Sequence, residues 1–465
     1  MRRALLTLGV CLWVWQSKAQ VFPVDTLMKN GPIESRINLV FLSDGYQAHE
    51  IETYLADANG LLTSMFNQVP FKHYKNYFNA FAVKVPSVAS GASHPRTSPD
   101  SDCAPVPALT VDNYFGSSFD RYNIHRLLSP SKLPTVVSVL ASSFPLYDQA
   151  FIVVNSPYYG GSGGDFATSS THASAHDVSI HEIGHSFARL ADEYWAGQSY
   201  AAEKPNLTQQ SNASLVKWAN WVGTNNVGVY PHAESPSWYR PHQNCKMRFL
   251  NAPFCNVCNE TFVERIHALV NPIESYTPVL LTKELGEEAI EFSLSLINPE
   301  PNTLSVSWKN NNVSFASNVE SVVLQPSAFT ADLTKITATV TDNTTLSRST
   351  THTTSHVYVV EWTITKNDPV TGVEVKSEMH EYQVTVYPNP VADDFNFSYT
   401  LPKPARVNVA VFDMQGKRIK PLVSQYQNNG EHSFRFKAAD VFGSSGEYIL
   451  KFSFDDLVIS RKVVR

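Results

Sequence analysis

The chain has 465 residues, 43% hydrophobic and 12% aromatic, which supports several packed cores and excludes a disordered chain. Its formal net charge is −6 and its basic residues form no stripe, so nucleic acid is not an expected partner. Beyond the N-terminal stretch, no segment is long and apolar enough to be read as a transmembrane span.

Residues 1–19 read as an export signal. Arg2 and Arg3 supply the positive charge, Ala4 to Trp15 the apolar run, and Ser17-Lys18-Ala19 a cleavage site before Gln20. The expectation is a soluble exported protein. Cys11 lies within the signal and leaves Cys103, Cys245, Cys255 and Cys258. In an exported chain these four permit two disulfides, in any of three pairings. The competing reading of Cys255-x-x-Cys258 is half of a structural zinc site.

Arg36 to Leu42 reads as a buried strand closed by the Ser43-Asp44-Gly45 turn. Residues 48–68 carry apolar residues at helical spacing, and Tyr77 to Val85 reads as a second strand. Strand, helix, strand suggests an α/β layer around a central sheet. Residues 86–107 read as a long surface loop that Cys103 could staple, with His94 and His125 as ordinary loop or surface histidines. Gln149 to Asn155 is the clearest strand of this half. It runs into Tyr158-Tyr159-Gly160-Gly161-Ser162-Gly163-Gly164, read either as a flexible loop or as a segment that lets a substrate backbone approach. Ser174 with Asp177 fits a capping box opening the next helix, and His176 is read as part of that capping turn.

That helix carries His181-Glu182-Ile183-Gly184-His185. Residues four apart project from one helix face, so the two imidazoles aim at one point and Glu182 can reach a water held there. This is the spacing a catalytic zinc requires. In HExxHxxGxxH sequences a glycine breaks the helix and the third ligand lies ten residues past the first histidine. Here that position is Ala191, which cannot ligate, and Asp192 follows it. Asp192 is the expected third metal ligand. Glu193 is its rival, and Glu260 or Glu264 would serve if the ligand came from a separate helix. Tyr194, Tyr230, His232 and His242 are candidate oxyanion donors.

Residues 196–244 are loop-rich and aromatic, and Trp195, Trp218, Trp221 and Trp238 could wall a cleft or make core. Phe254 to Ile266 reads as a helix closing the unit near residue 270. From Pro272 the texture becomes alternating, as in Ile290–Leu296 and Val357–Ile364, which reads as an immunoglobulin-like β-sandwich. His352 and His356 lie in it and are not expected to bind metal. A third unit follows Tyr387-Pro388-Asn389-Pro390, with strands at 407–412 and 449–454, a turn at 413–417 and a basic last strand. The expected fold class is an α/β (α+β) catalytic domain followed by two all-β sandwiches. The expected division is 1–19 signal, 20–272 catalytic, 273–380 immunoglobulin-like and 381–465 C-terminal.

The Asp44-Gly45-Tyr46 turn, the stretch 181–195 and the Cys-x-Met-Arg … Phe-Cys-x-Val-Cys segment (245–258) together resemble the IgA-peptidase family of bacterial zinc metallopeptidases over residues 30–272. The resemblance implies a metzincin-like fold, Zn2+ as cofactor, an aspartate (Asp192) as third ligand and Met247 in a turn beneath the metal. Residues 387–465 resemble the C-terminal sorting domain of the type IX (Por) secretion system. That implies export by that machinery, with release or attachment at the outer-membrane surface. The function so implied is a secreted zinc endopeptidase with Glu182 as general base and protein or peptide as substrate. The alternatives are a surface glycan- or protein-binding protein with an inactive peptidase domain, or a zinc amidase acting on cell-wall peptide.

Overall fold

The apolar run at Ile37–Asp44 is the centre of a six-stranded sheet, and every residue in it is buried. In this computed structural model the described residues are 20–366, 382, 384–391, 393–413, 418–443, 446–455 and 457–465. The expected export signal, the 380/381 boundary and most of the 413–417 turn lie outside them.

The strands of the sheet are β1 (Val24–Met28), β2 (Ile37–Asp44), β3 (Phe78–Val83), β4 (Gln149–Val154), β5 (Gly161–Ser162) and β6 (Ala167–Ser169), in the order β1-β3-β2-β4-β6-β5. β2 is parallel to β3 and β4, and β4 to β6. β1 and β5 run antiparallel at the two edges. Four helices cover the sheet: α1 (Ile51–Phe66), α2 (Leu133–Ser143), α3 (Ala175–Ser186) and α4 (Asn256–Leu269).

Alternation along β2 sorts its side chains into two cores. Leu39 and Phe41 pack with residues of α1, α3 and α4, whereas Val40 and Leu42 pack with Val136, Val139 and Leu140 of α2. Both faces are therefore apolar, as a parallel sheet covered by helices requires. α2 was not anticipated. Its run Leu133-Pro134-Thr135-Val136-Val137 is rich in β-branched residues and has no clean helical period, and tertiary packing overrides that weak propensity.

The expected alternating strands appear at Ile290–Leu296 and Val357–Thr365. They belong to a three-stranded and a five-stranded sheet facing each other across Phe292, Trp308 and Trp362. Both buried indoles are satisfied: Trp308 Nε1 donates to the Val319 carbonyl (2.8 Å) and Trp362 Nε1 to that of Pro278 (2.7 Å). The C-terminal stretch forms a three- and a four-stranded sheet around Phe397, Tyr399 and Phe452. Among the described residues no helix is long and apolar enough to cross a membrane.

The first β-unit is locked to α4 by ionic contacts. Glu264 accepts from His352 Nδ1 (2.6 Å) and His356 Nε2 (2.9 Å), and His267 Nε2 lies 2.8 Å from Asp342 Oδ2. His352 sits on a one-turn helix, His352–Ser355, rather than in a strand.

Candidate active site

α3 ends at Ser186, and the chain then reverses at Arg189, whose φ is +57°. A left-handed residue at a helix end turns the chain back on itself, a role usually taken by glycine. In the HExxHxxG pattern that turn falls at the position held here by Ala188. The reversal comes one residue later, which explains why the returning acid is also one residue later, at Asp192. The Leu190 amide closes the turn on the Gly184 carbonyl (2.9 Å). Asn206 then clamps Ala191 from both sides: its Oδ1 accepts from the Ala191 amide (2.7 Å) and its Nδ2 donates to the Ala191 carbonyl (2.8 Å). Asn206 is a positioning residue that no local motif marks.

His181, His185 and Asp192 come together. His181 Nε2 and His185 Nε2 are 3.1 Å apart, and Asp192 Oδ1 lies 3.0 Å from the first and 3.3 Å from the second. Each imidazole is oriented from behind. His181 Nδ1 donates to the Lys246 carbonyl (2.9 Å) and His185 Nδ1 to the Leu190 carbonyl (2.9 Å). Carbonyls only accept, so Nδ1 carries the proton and both Nε2 lone pairs face the same point. Two facing lone pairs and a carboxylate make a donor set that fits a divalent cation, and histidine ligands in metal sites are held by outer hydrogen bonds of this kind. The Asp192 carboxylate favours positive charge there. Burial alone would lower His185, but the hydrogen bond and charge of Asp192 raise it to about 9, so without a cation a proton on Nε2 takes the place a metal would hold.

Glu182 lines the same cleft, of ≈ 460 Å³, and burial pushes its carboxyl above the usual range despite the neighbouring imidazoles. The Gly163 backbone lies against it. A Cβ on Gly163 would fall 2.5 Å from Glu182 Oε2 and 3.0 Å from His185 Cδ2. Beneath the helix, Met247 has no exposed surface, and a Cβ on Gly184 would meet its Sδ at 2.6 Å. The Met247 carbonyl accepts from the Glu193 amide (2.7 Å), so one short segment, Lys246-Met247, supports both the helix and its return.

Of the candidate oxyanion donors, Tyr194 and His232 line the cleft. Burial and the neighbouring Arg240 lower His232 to about 4, so it is neutral near pH 7. Tyr230 and His242 instead bond the carbonyls of Asn226 and Asn225. Arg126, which no motif marks, acts electrostatically on both Tyr194 and Glu182.

The other acids weighed as ligands point elsewhere. Glu193 is fully buried among Cys245, Cys255 and Cys258. Glu260 accepts from Trp221 Nε1 (2.9 Å), and Glu264 is engaged by the two histidines described above. Several further expectations are corrected. No capping box forms at Ser174, because Asp177 is drawn into an ion pair with Lys246 Nζ (2.6 Å). His176 reaches Ser64 on α1 (2.7 Å) rather than its own turn. Trp218 and Trp221 are core, whereas Trp195 lines the cleft. All four cysteines are free, so the two-disulfide framework is absent: three of them converge on Glu193 and Cys103 faces His94 and Asp120. His94 and His125 are buried, not surface histidines.

Two segments of this chain, the one with the HExxH helix and the C-terminal one, are similar to known families. Residues 26–235 match the IgA peptidase M64 family, and residues 385–465 match the secretion system C-terminal sorting domain. The first is a peptidase family, generally metal-dependent, matched over less than half of the chain. The second indicates export by the type IX machinery to the cell surface or beyond. No curated protein matches the chain.

Among solved structures, latent PorU from Porphyromonas gingivalis is 11% identical with a TM-score of 0.17, covering 41% of this chain and 20% of that one. A Parabacteroides merdae β-glucuronidase is 9% identical with a TM-score of 0.15, covering 49% and 28%. This chain therefore spans less than a third of either, and likeness at this level defines neither fold nor function.

Proposed function

We propose that the protein is a secreted zinc-dependent endopeptidase with a metzincin-like catalytic unit over 20–272, an immunoglobulin-like module over 273–380 and the sorting domain over 381–465. His181, His185 and Asp192 would hold the metal and Glu182 would act as general base. The observation that carries this reading is the convergence of three donor atoms within 3.0–3.3 Å, with both Nδ1 atoms tied to carbonyls. A zinc ion held there would acidify water and polarise a carbonyl.

The chain's own groups account for the remaining steps. The Glu182 carboxylate accepts the proton of the attacking water and delivers it to the leaving amine nitrogen. Its burial against Gly163 raises its basicity, which suits a base working near neutral pH. Tyr194, which lines the cleft, is the candidate donor to the oxyanion. The outer edge of β5 is partly used, because Gly161 pairs with Arg126 and Leu128. Gly163 to Asp165, beyond it, line the cleft and are the stretch along which an extended substrate backbone would lie.

Substrate identity lives in the cleft loops, so cleavage of immunoglobulin A does not follow from the family match. An intact, half-buried Glu182 favours a peptidase over an inactive binding domain. The test is Glu182→Gln in the full chain, assayed on unfolded protein substrates. Loss of about 10²–10⁴-fold in kcat with metal retained is expected. Cleavage at the wild-type rate would refute the assignment.

A further inference from the structure

The long segment between β3 and α2 has little regular structure, yet four of its side chains converge. His94, Cys103, Asp120 and His125 are 2%, 3%, 5% and 6% exposed, and one donor atom from each lies within 4.8 Å of the others. His94 Nε2 is 3.2 Å from His125 Nδ1, 3.3 Å from Asp120 Oδ1 and 3.5 Å from Cys103 Sγ. His125 Nδ1 is 3.0 Å from Asp120 Oδ1, and Cys103 Sγ is 3.6 Å from it. Tetrahedral zinc bonds nitrogen and oxygen at about 2.0–2.2 Å and sulfur at about 2.3 Å, which places its donors roughly 3.3–3.6 Å apart. Three of the six edges of such a tetrahedron (3.3, 3.5 and 3.6 Å) match this range, and two more (3.0 and 3.2 Å) are a few tenths of an ångström shorter.

The outer contacts are of the same kind as at the active site. His94 Nδ1 faces the Pro107 carbonyl (3.1 Å), so its proton sits there and the Nε2 lone pair points inward. Asp120 Oδ2 accepts from the Thr97 amide (3.0 Å), leaving Oδ1 for the centre. Asp120, Tyr122 and Asn123 all hold positive φ, a strained path that must be imposed by something outside the local chain.

We propose that these four residues form a closed structural zinc site, separate from the catalytic one. Its consequence reaches the active site through the chain. His125 is followed by Arg126, and the segment Arg126–Leu128 pairs with Gly161 of β5 at the cleft. The ion would thus fix the wall on which the cleft is built. Asp44 anchors the other side of the loop, accepting from the amides of Phe115 (3.0 Å) and Ser117 (3.1 Å).

A different observation points to a second such site. Cys258 Sγ lies 3.6 Å from both Cys245 Sγ and Cys255 Sγ and 3.3 Å from Glu193 Oε1, all four residues being buried. Three cysteines cannot pair off as disulfides without leaving one over, and the buried Glu193 Oε2 has no partner. One cation engages the whole set.

Anomalous diffraction from crystals of the full chain, above and below the zinc edge, tests each site on its own. Peaks are expected at the centres of both four-residue clusters, and a cluster without a peak is overturned whatever appears at His181. In solution, Cys103→Ser and His125→Ala are each expected to lower bound zinc by one equivalent per chain, and Cys258→Ser likewise for the second cluster. Unchanged zinc in a folded variant refutes that site, and where a variant fails to fold the wild-type diffraction decides.

Discussion

Replacing Gly184 by alanine sets two effects of opposite sign against each other. Alanine inside a helix is favoured over glycine by about 1 kcal/mol. Here, however, the added methyl would lie 2.6 Å from Met247 Sδ and 3.1 Å from its Cε. Ordinary contact is about 3.5–4.0 Å, so the sulfur must retreat by roughly 1 Å. Met247 has no exposed surface and its carbonyl is held by Glu193, so the retreat must come from its side-chain torsions inside a packed core. Overpacking of this kind costs about 1–3 kcal/mol. With about 2 kcal/mol for the clash, the net is a destabilisation of about 1 kcal/mol, together with weaker metal binding as the two histidines are displaced. Hydrogen exchange across residues 175–186 measures this locally. Gly184→Ala should speed exchange there. In the double variant with Met247→Ala the methyl fills part of the cavity, giving a favourable coupling of at least about 1 kcal/mol. If Gly184→Ala instead slows exchange by the full propensity gain and the cycle shows no coupling, Met247 does not support this helix as argued.

Gly163→Ala should displace the flexible end of Glu182 rather than the backbone, so kcat should fall by about 10²-fold while thermal stability barely moves; a large drop in Tm with unchanged kcat would contradict this. Chelation should abolish cleavage and added zinc restore it, and the chelated protein should also melt lower. A ligand at a thousand times its Kd stabilises by about 4.1 kcal/mol, so an unchanged Tm would count against tight structural sites. The contact between α4 and the following β-unit should depend on pH. Burial would raise Glu264, but its hydrogen bonds from His352, His356 and Ser347 hold it below its ordinary 4.5, so its contribution is present above that value and lost as pH falls. Burial would lower His352, but Glu264 raises it above its ordinary 6.5, so its contribution is full below 6.5 and lost as pH rises through the raised value. The Tm difference between wild type and His352→Ala should accordingly be largest near pH 5–6 and shrink above and below, whereas a difference flat from pH 4 to 9 would refute the ion pair's role.

What could be read from the chain alone is what lies close in sequence and follows a period. The pair His181 and His185 with Glu182 was legible because one helical turn fixes their common face. The acid at 192 was legible as the expected alternative to Ala191, with its neighbour Glu193 kept as a rival that only tertiary information separates from it. The strands at 37–44, 149–154 and 290–296 declared themselves by apolar runs or alternation.

The rest depended on contacts between distant residues. Arg189 in the left-handed conformation, clamped from Asn206, sends Asp192 to the histidines and Glu193 away from them. His94, Cys103, Asp120 and His125 lie in a loop with no periodicity, so nothing local signals that they meet. Cys245 was set among disulfide candidates, and only the packing of α4 against the Lys246-Met247 segment gathers it with Cys255, Cys258 and Glu193. Sequence spacing encodes a ligand set only where one element carries it. Where loops carry it, the convergence belongs to the tertiary fold.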